Sequence, residues 1–185
     1  MKKLITLLVL ALLVTAAFAQ KGIEYVDGWV KTQKGDTLKG KICWENLVTK
    51  EHIEKIFFLD AAGSKKRYGV EKINSFGTSG KAFDFIVIEG VEKPMPMQRL
   101  ITGELNLYKA WFKKLDSTPS NFSYEVAIFL NKKEQKEFIE VMDGGFDKQM
   151  KKYFKENKDF VVQIKENGWG VTDIEKIVAS YNDQN

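Results

Sequence analysis

The chain has 185 residues, of which 44% are apolar and 29% are charged. This balance is typical of a globular domain and excludes a disordered chain. The formal net charge is only +4, so the sequence predicts no nucleic-acid partner. The single cysteine, Cys43, excludes an internal disulfide, and its position among strand residues predicts a small buried side chain.

The N-terminus has the pattern of a cleavable secretory signal. Lys2 and Lys3 precede an apolar run that ends at Ala17-Phe18-Ala19, which is the order of charged, apolar and small residues found in such signals. The run is shorter than the roughly 20 residues that a spanning helix needs. The sequence therefore predicts a signal at 1–20 and a mature domain at 21–185 without a transmembrane segment. Cys43 lies too far from the cleavage site to carry a lipoprotein anchor, which predicts a periplasmic or extracellular protein.

The first half of the mature chain reads as hairpins. Residues 37–44 alternate between apolar or small and polar side chains, and the turn residues 33–36 join them to a strand at Tyr25–Thr32. A second hairpin is predicted from strands at 53–59 and 66–68.

More strands follow. Aromatic and β-branched residues predict a strand at 83–88, which Gly90 and the segment 94–96 end because proline cannot donate to a ladder. Another strand is predicted at 105–111. The segments 121–130 and 137–142 predict a last hairpin, with a helix over 132–141 as the alternative.

The period changes to that of helices after Gly144 and Gly145. Apolar residues predict one helix over 146–154 and a second around 160–164, and Thr172 and Glu175 predict a capping box for a last helix. The fold class is therefore α+β: an antiparallel β-rich sheet or partial barrel of hairpins over about 23–142, followed by a small helical segment over about 146–182.

Catalytic chemistry has few candidates. His52 is the only histidine, and no nucleophile motif accompanies it. One His and one Cys are too few for a transition-metal site, and no cofactor motif is present, so neither a metal nor a cofactor is predicted. Asp84 and Glu89 flank an aromatic strand, and a pair of carboxylates suits a hydrolase. Strand alternation, however, places these two on opposite faces.

Aromatic residues are dense at strand positions, and most of them are expected in the core. The alternative is an apolar groove or a barrel mouth that binds a ligand. The candidate ligand-binding residues on this interpretation are Trp29, Trp44, Phe85 and Trp111.

Three short stretches, residues 28–40, 103–108 and 173–182, carry a resemblance. They are Gly28-Trp29-Val30 leading into Lys34-Gly35-Asp36-Thr37-Leu38-Lys39-Gly40, then Gly103-Glu104-Leu105-Asn106-Leu107-Tyr108, and finally Asp173-Ile174-Glu175-Lys176-Ile177-Val178-Ala179-Ser180-Tyr181-Asn182. With these stretches the chain resembles a family of uncharacterised exported proteins common in Bacteroidota. The resemblance implies the compartment and the domain plan, and it implies no activity.

These observations favour an exported, non-enzymatic domain that binds a small ligand or an envelope protein, or that supports an envelope assembly. Two alternatives stay open. One is a carboxylate-dependent hydrolase, and the other is a carrier of an apolar ligand in a barrel mouth.

Overall fold

The structure is a computed structural model, and it describes residues 24–43, 55–91, 93–115, 122–133 and 135–185. The predicted export signal, His52 and Trp44 lie outside these residues.

Ten antiparallel strands form one sheet in the described part of the chain. They are β1 Tyr25–Thr32, β2 Thr37–Cys43, β3 Lys55–Asp60, β4 Lys65–Gly69, β5 Ile73–Gly77, β6 Ala82–Ile86, β7 Met95–Ile101, β8 Leu105–Leu115, β9 Phe122–Lys132 and β10 Ile139–Glu140. Their spatial order is β10-β9-β8-β7-β6-β5-β1-β2-β3-β4. Three helices follow: α1 Phe146–Tyr153, α2 Lys158–Glu166 and α3 Ile174–Gln184. The predicted α+β class is confirmed.

The sheet curls sharply over β1 to β5. A 3-10 turn of three residues, Val70–Lys72, joins β4 to β5, although β1, β2 and β3 lie between these strands. In a flat sheet the two strands would be about 19 Å apart, whereas the chain from Gly69 to Ile73 reaches about 15 Å at most. The sheet therefore has to coil to bring β4 near β5.

Glycines accommodate this curl at the centre of β1 and β2. Gly28 and Gly40 are cross-strand partners. A β-carbon at Gly40 would lie 2.3 Å from the Leu59 carbonyl oxygen and 2.6 Å from the Phe58 ring, and one at Gly28 would lie 2.6 Å from the Gly77 carbonyl oxygen. Both positions need glycine because neighbouring strands approach too closely for a side chain.

The two faces of β1, β2, β5 and β6 differ in chemistry, and each is named here by one residue of β1. The Val30 face carries the first core cluster, whose buried members are Val30, Ile42, Ile56, Phe58, Ile73, Phe76 and Phe83. The Trp29 face carries Trp29, Lys39, Ser75 and Asp84 on the same strands. The curl encloses the Val30 face, so the Trp29 face of these strands is the one that presents polar side chains.

Two more clusters stabilise the second half of the sheet. One contains Ile86, Met95, Met97, Tyr108, Ala110, Ala127 and Phe129. The other joins Leu105, Leu107 and Leu130 of the sheet to buried residues of all three helices, with Phe154 and Phe160 at its centre. Burying large side chains fully is worth about 1.5–3 kcal/mol each, and short helices need such packing to be stable.

One asparagine of the last helix forms hydrogen bonds with the sheet. The side chain of Asn182 accepts a hydrogen bond from the Leu105 N–H at 2.8 Å and donates one to the Leu105 carbonyl at 2.9 Å. Gly103 makes room for it, because a β-carbon there would lie 2.4 Å from the Asn182 amide. Residues 103–108 and 173–182 thus contact each other directly.

Several elements differ from the prediction. Strands β5 and β7 were not predicted, and the strand expected at 83–88 ends at Ile86. Pro96 lies inside β7, but it precedes Gln98, the first residue of β7 that pairs with β8. The strand is an edge at that point, and proline is tolerated at an edge.

The alternative helix over 132–141 is wrong for the residues described there, since β10 pairs with β9 as a hairpin. At the last helix, Asp173 occupies the N-cap in place of the predicted Thr172. The Asp173 carboxylate accepts from the Gly170 N–H at 3.2 Å in the preceding 3-10 turn, Val171–Asp173.

Candidate binding groove

A groove of about 640 Å³ lies on the Trp29 face, across strands β2, β1, β5, β6 and β7. Its lining residues are Asp27, Gly28, Trp29, Lys31, Thr37, Lys39, Asn74, Ser75, Ser79, Asp84 and Arg99. Its volume falls within the range of about 300–1,000 Å³ that is usual for small-molecule sites.

Strand pairing explains how these side chains come together. One row of cross-strand partners runs Lys39, Trp29, Gly77, Ala82, Arg99. Gly77 and Ala82 are the smallest residues in this row, and they separate the large side chains of Trp29 and Arg99. Three strand spacings, roughly 14 Å, lie between those two residues.

The neighbouring row supplies most of the polar groups. It runs Thr37, Lys31, Ser75, Asp84, Met97. Ser75 is only 3% exposed and is one of two buried polar residues in the described part of the chain. Met97 is fully buried in the cluster that contains Ile86 and Met95, so the row passes from the open groove into the core.

Trp29 is a half-buried aromatic residue that the core does not use. Trp111 packs against the first core cluster and Trp169 against the helical cluster, whereas Trp29 packs against none of the three. Trp29 also has no aromatic partner within the described residues. A large amphipathic ring that is only partly covered by its own protein offers apolar contact area to a ligand.

Asp84 and Arg99 form the far wall of the groove. The guanidinium of Arg99 donates two hydrogen bonds to the carboxylate, from Nε to Oδ2 at 2.8 Å and from Nη2 to Oδ1. This hydrogen bonding raises the pKa of Arg99. Two parallel bonds between fixed planar groups hold both side chains in one orientation. The wall is therefore preorganised.

Tyr108 supports this wall from the interior. It is the partner of Arg99 on β8 and is 7% exposed. Burial raises the pKa of Tyr108 to about 12, and the negative charge of Asp84 adds to the increase. The phenol is therefore neutral at physiological pH.

Two lysines give the groove its unbalanced charge. Lys31 and Lys39 are exposed, and neither forms an ion pair with a described residue. Because Trp29 pairs with Lys39 and Thr37 pairs with Lys31, the two lysines are diagonal neighbours, with Cβ atoms about 7 Å apart. Their ammonium groups can converge on one anion.

The structure brings two of the predicted candidates, Asp84 and Trp29, into this groove. Phe85 lies on the opposite face and packs in the first core cluster, 5.5 Å from Phe76 between ring centroids. Trp111 packs against the same cluster. Glu89 is exposed beyond the end of β6 and is not among the groove residues.

The groove does not contain the carboxylate pair Asp84 and Glu89. Asp84 is engaged by Arg99, and the second carboxylate of the groove is Asp27, not Glu89. A glycosidase needs one carboxylic acid that can donate a proton and a second carboxylate placed across the same bond. Both oxygens of the Asp84 carboxylate accept hydrogen bonds from Arg99, so Asp84 is already engaged as an acceptor.

The described part of the chain contains neither a candidate metal site nor a candidate membrane-spanning helix. Over the described ranges, no three His, Cys, Asp or Glu residues are grouped so that they could hold a metal ion. None of the described helices has the length and apolarity needed to cross a bilayer. Comparisons of the chain with models of protein families, with curated proteins and with solved structures gave no match.

Proposed function

We propose that the protein is an exported, non-enzymatic binding domain and that the groove on the Trp29 face is its binding site. The observation that carries this proposal is the position of Trp29. The ring is half-buried in a groove of ligand size while packing in none of the three hydrophobic clusters. A tryptophan left partly uncovered beside fixed polar groups is characteristic of binding sites.

The polar residues support binding in preference to turnover. The Asp84–Arg99 pair gives one wall a fixed orientation, and rigid polar groups fix the orientation of a ligand at little entropic cost. Ser75, Asn74 and Thr37 add hydrogen-bonding groups along the groove.

Export is supported by the sequence. Lys2 and Lys3, the apolar run and the small residues before Gln20 have the order of a signal peptide. The resemblance to exported proteins points to the same compartment, and the proposed location is the periplasm or the medium.

The proposal is tested by native mass spectrometry of the protein isolated gently from the envelope or medium of cells that produce it. We expect a chain that has lost about 20 residues and that retains a ligand. The Trp29→Ala variant should lose the ligand. Tyr25→Ala is the matched control, because Tyr25 lies on the same face of β1 outside the groove residues.

Three results would contradict the proposal. A chain that keeps residues 1–20 would refute export. Retention of the ligand by the Trp29→Ala variant would exclude the groove as its site. Turnover of a substrate that disappears in the Asp84→Asn variant would show an enzyme instead of a binding domain.

A further inference from the structure

We propose that the ligand of the groove is an acidic saccharide, a carbohydrate that carries a carboxylate group. A sugar ring would lie against Trp29, and its carboxylate would lie between Lys31 and Lys39. This inference rests on the proposed function, and it names the class of ligand that the same groove accepts.

The mixture of donors and acceptors favours a ligand rich in hydroxyl groups. Asp27 and Asp84 only accept hydrogen bonds, whereas the lysines and Arg99 only donate them. A hydroxyl group both donates and accepts, so a polyol satisfies both kinds of neighbour within one groove. The apolar C–H face of a pyranose would cover the exposed part of the Trp29 ring, as amphipathic rings require.

The charge balance favours an anionic ligand. The ion pair between Asp84 and Arg99 cancels the charges at the far wall. On the side of the groove formed by β1 and β2, the two lysines outnumber the single carboxylate of Asp27. Diagonal neighbours on adjacent strands are close enough to donate to the two oxygens of one carboxylate.

The position of the groove favours a saccharide over an acidic peptide. Extended peptides gain most of their affinity by adding a strand to an exposed sheet edge. The groove crosses β1, β5 and β6, each of which is paired on both sides. The backbone there has no free edge to offer, so recognition relies on side chains alone.

Isothermal titration of the purified protein tests the inference. The probes are trisaccharides of galacturonate, glucuronate and mannuronate, each with its neutral hexose counterpart, together with a triglutamate peptide. We expect at least one acidic trisaccharide to bind at least about tenfold more tightly than its neutral counterpart, the ratio that one charge-assisted contact supplies. Its affinity should fall as the salt concentration rises.

Variants place the ligand in the groove. Lys31→Met and Lys39→Met should each weaken acidic binding by about tenfold and weaken neutral binding by a smaller factor. Lys41→Met is the matched control, because Lys41 lies on the same face of β2 but is not a groove residue. Trp29→Ala should abolish binding, whereas Trp29→Phe should retain most of it.

The other outcomes separate the two proposals. Equal binding of acidic and neutral sugars would overturn the acidic class and leave the binding groove intact. Binding of triglutamate in place of the sugars, or no binding of any acidic trisaccharide, would overturn the saccharide class. Acidic binding that survives both Trp29→Ala and Lys39→Met would refute the groove itself, and with it the proposed function.

Discussion

The contact between Asn182 and Leu105 should contribute more to stability than any other single polar contact between the helices and the sheet. The Leu105 side chain is fully buried, and its backbone N–H and carbonyl both bond to the Asn182 amide across 77 positions of sequence. These backbone groups lie where the pairing of β7 with β8 has already ended at Leu107. The Asn182 amide therefore makes the two hydrogen bonds that a neighbouring strand would otherwise make with Leu105.

The expected cost of Asn182→Ala follows from two terms. The variant loses two hydrogen bonds, each with a net value of about 1 kcal/mol. It also leaves two backbone groups with poor access to water, which adds about 1–3 kcal/mol if water does not replace the amide. The free energy of unfolding should fall by about 2–5 kcal/mol, a large part of the roughly 5–15 kcal/mol typical of a domain.

Urea unfolding followed by circular dichroism measures this loss. Asn185→Ala is the control, because Asn185 directly follows the last helix and donates one exposed hydrogen bond to the Tyr181 carbonyl, and such surface changes stay within about 0.5 kcal/mol. Hydrogen exchange at the Leu105 amide should accelerate in the Asn182 variant alone. If both variants unfold at the same urea concentration as the wild type, the hydrogen bonds of Asn182 do not stabilise the packing of the helix on the sheet.

Three further predictions concern the sheet and its packing. Gly40→Ala should lower the unfolding free energy by about 1–3 kcal/mol in urea, because its β-carbon would overlap the Leu59 carbonyl; wild-type stability would show that β3 moves away freely. Lys132→Met should cost about 1–2 kcal/mol, because Lys132 donates to the Tyr153 carbonyl at the end of α1; an unchanged urea midpoint would contradict this. Burial raises the pKa of Tyr108 from 10.0 to about 12. The phenol therefore loses its proton at lower pH in the unfolded chain than in the folded one, and the free energy of unfolding falls as the pH rises from 10 to 12. The Tyr108→Phe variant should show a smaller fall in urea midpoint between pH 9 and 11 than the wild type, and an equal fall would refute the role of Tyr108.

The N-terminal hairpin could be predicted from sequence because its information is local. Alternation fixed both strands, and the turn at 33–36 fixed their pairing, with Gly35 at a φ of 94° as the turn requires. The helices likewise followed from periodicity and turn residues. The start of the last helix did not follow from the sequence, because a 3-10 turn at Val171–Asp173 precedes it and makes Asp173 the N-cap in place of Thr172.

Strands β5 and β7 were missed because their residues are poor strand formers in isolation. β5 contains asparagine, serine and glycine, and β7 contains Pro96. Both depend on neighbouring strands, since strand preference follows packing more than intrinsic propensity. Arg99 was missed with β7. Pairing with β6 places it beside Asp84, fifteen positions earlier in the sequence.

One clue to the groove was present in the sequence. Trp29 alternates with Asp27 and Lys31 along β1, so it shares a face with charged residues and not with Val30. An aromatic residue on a charged face is a better candidate for binding than one on an apolar face. Alternation also distinguishes Trp29 from Phe85, which shares its face with Phe83 and packs against the first core cluster.

The small residues at the centre of the sheet connect the fold to the groove. Gly77 ends β5 and Ala82 begins β6, and the two are cross-strand partners although glycine and alanine are poor strand formers. A β-carbon at Gly77 would lie 2.2 Å from the Lys81 carbonyl oxygen, so the tight turn between β5 and β6 accounts for the glycine. Ala82 lies in the same row of cross-strand partners, between Gly77 and Arg99. A larger side chain at position 82 would stand directly between Trp29 and Arg99. The small side chain of Ala82 therefore leaves space for a ligand between these two residues.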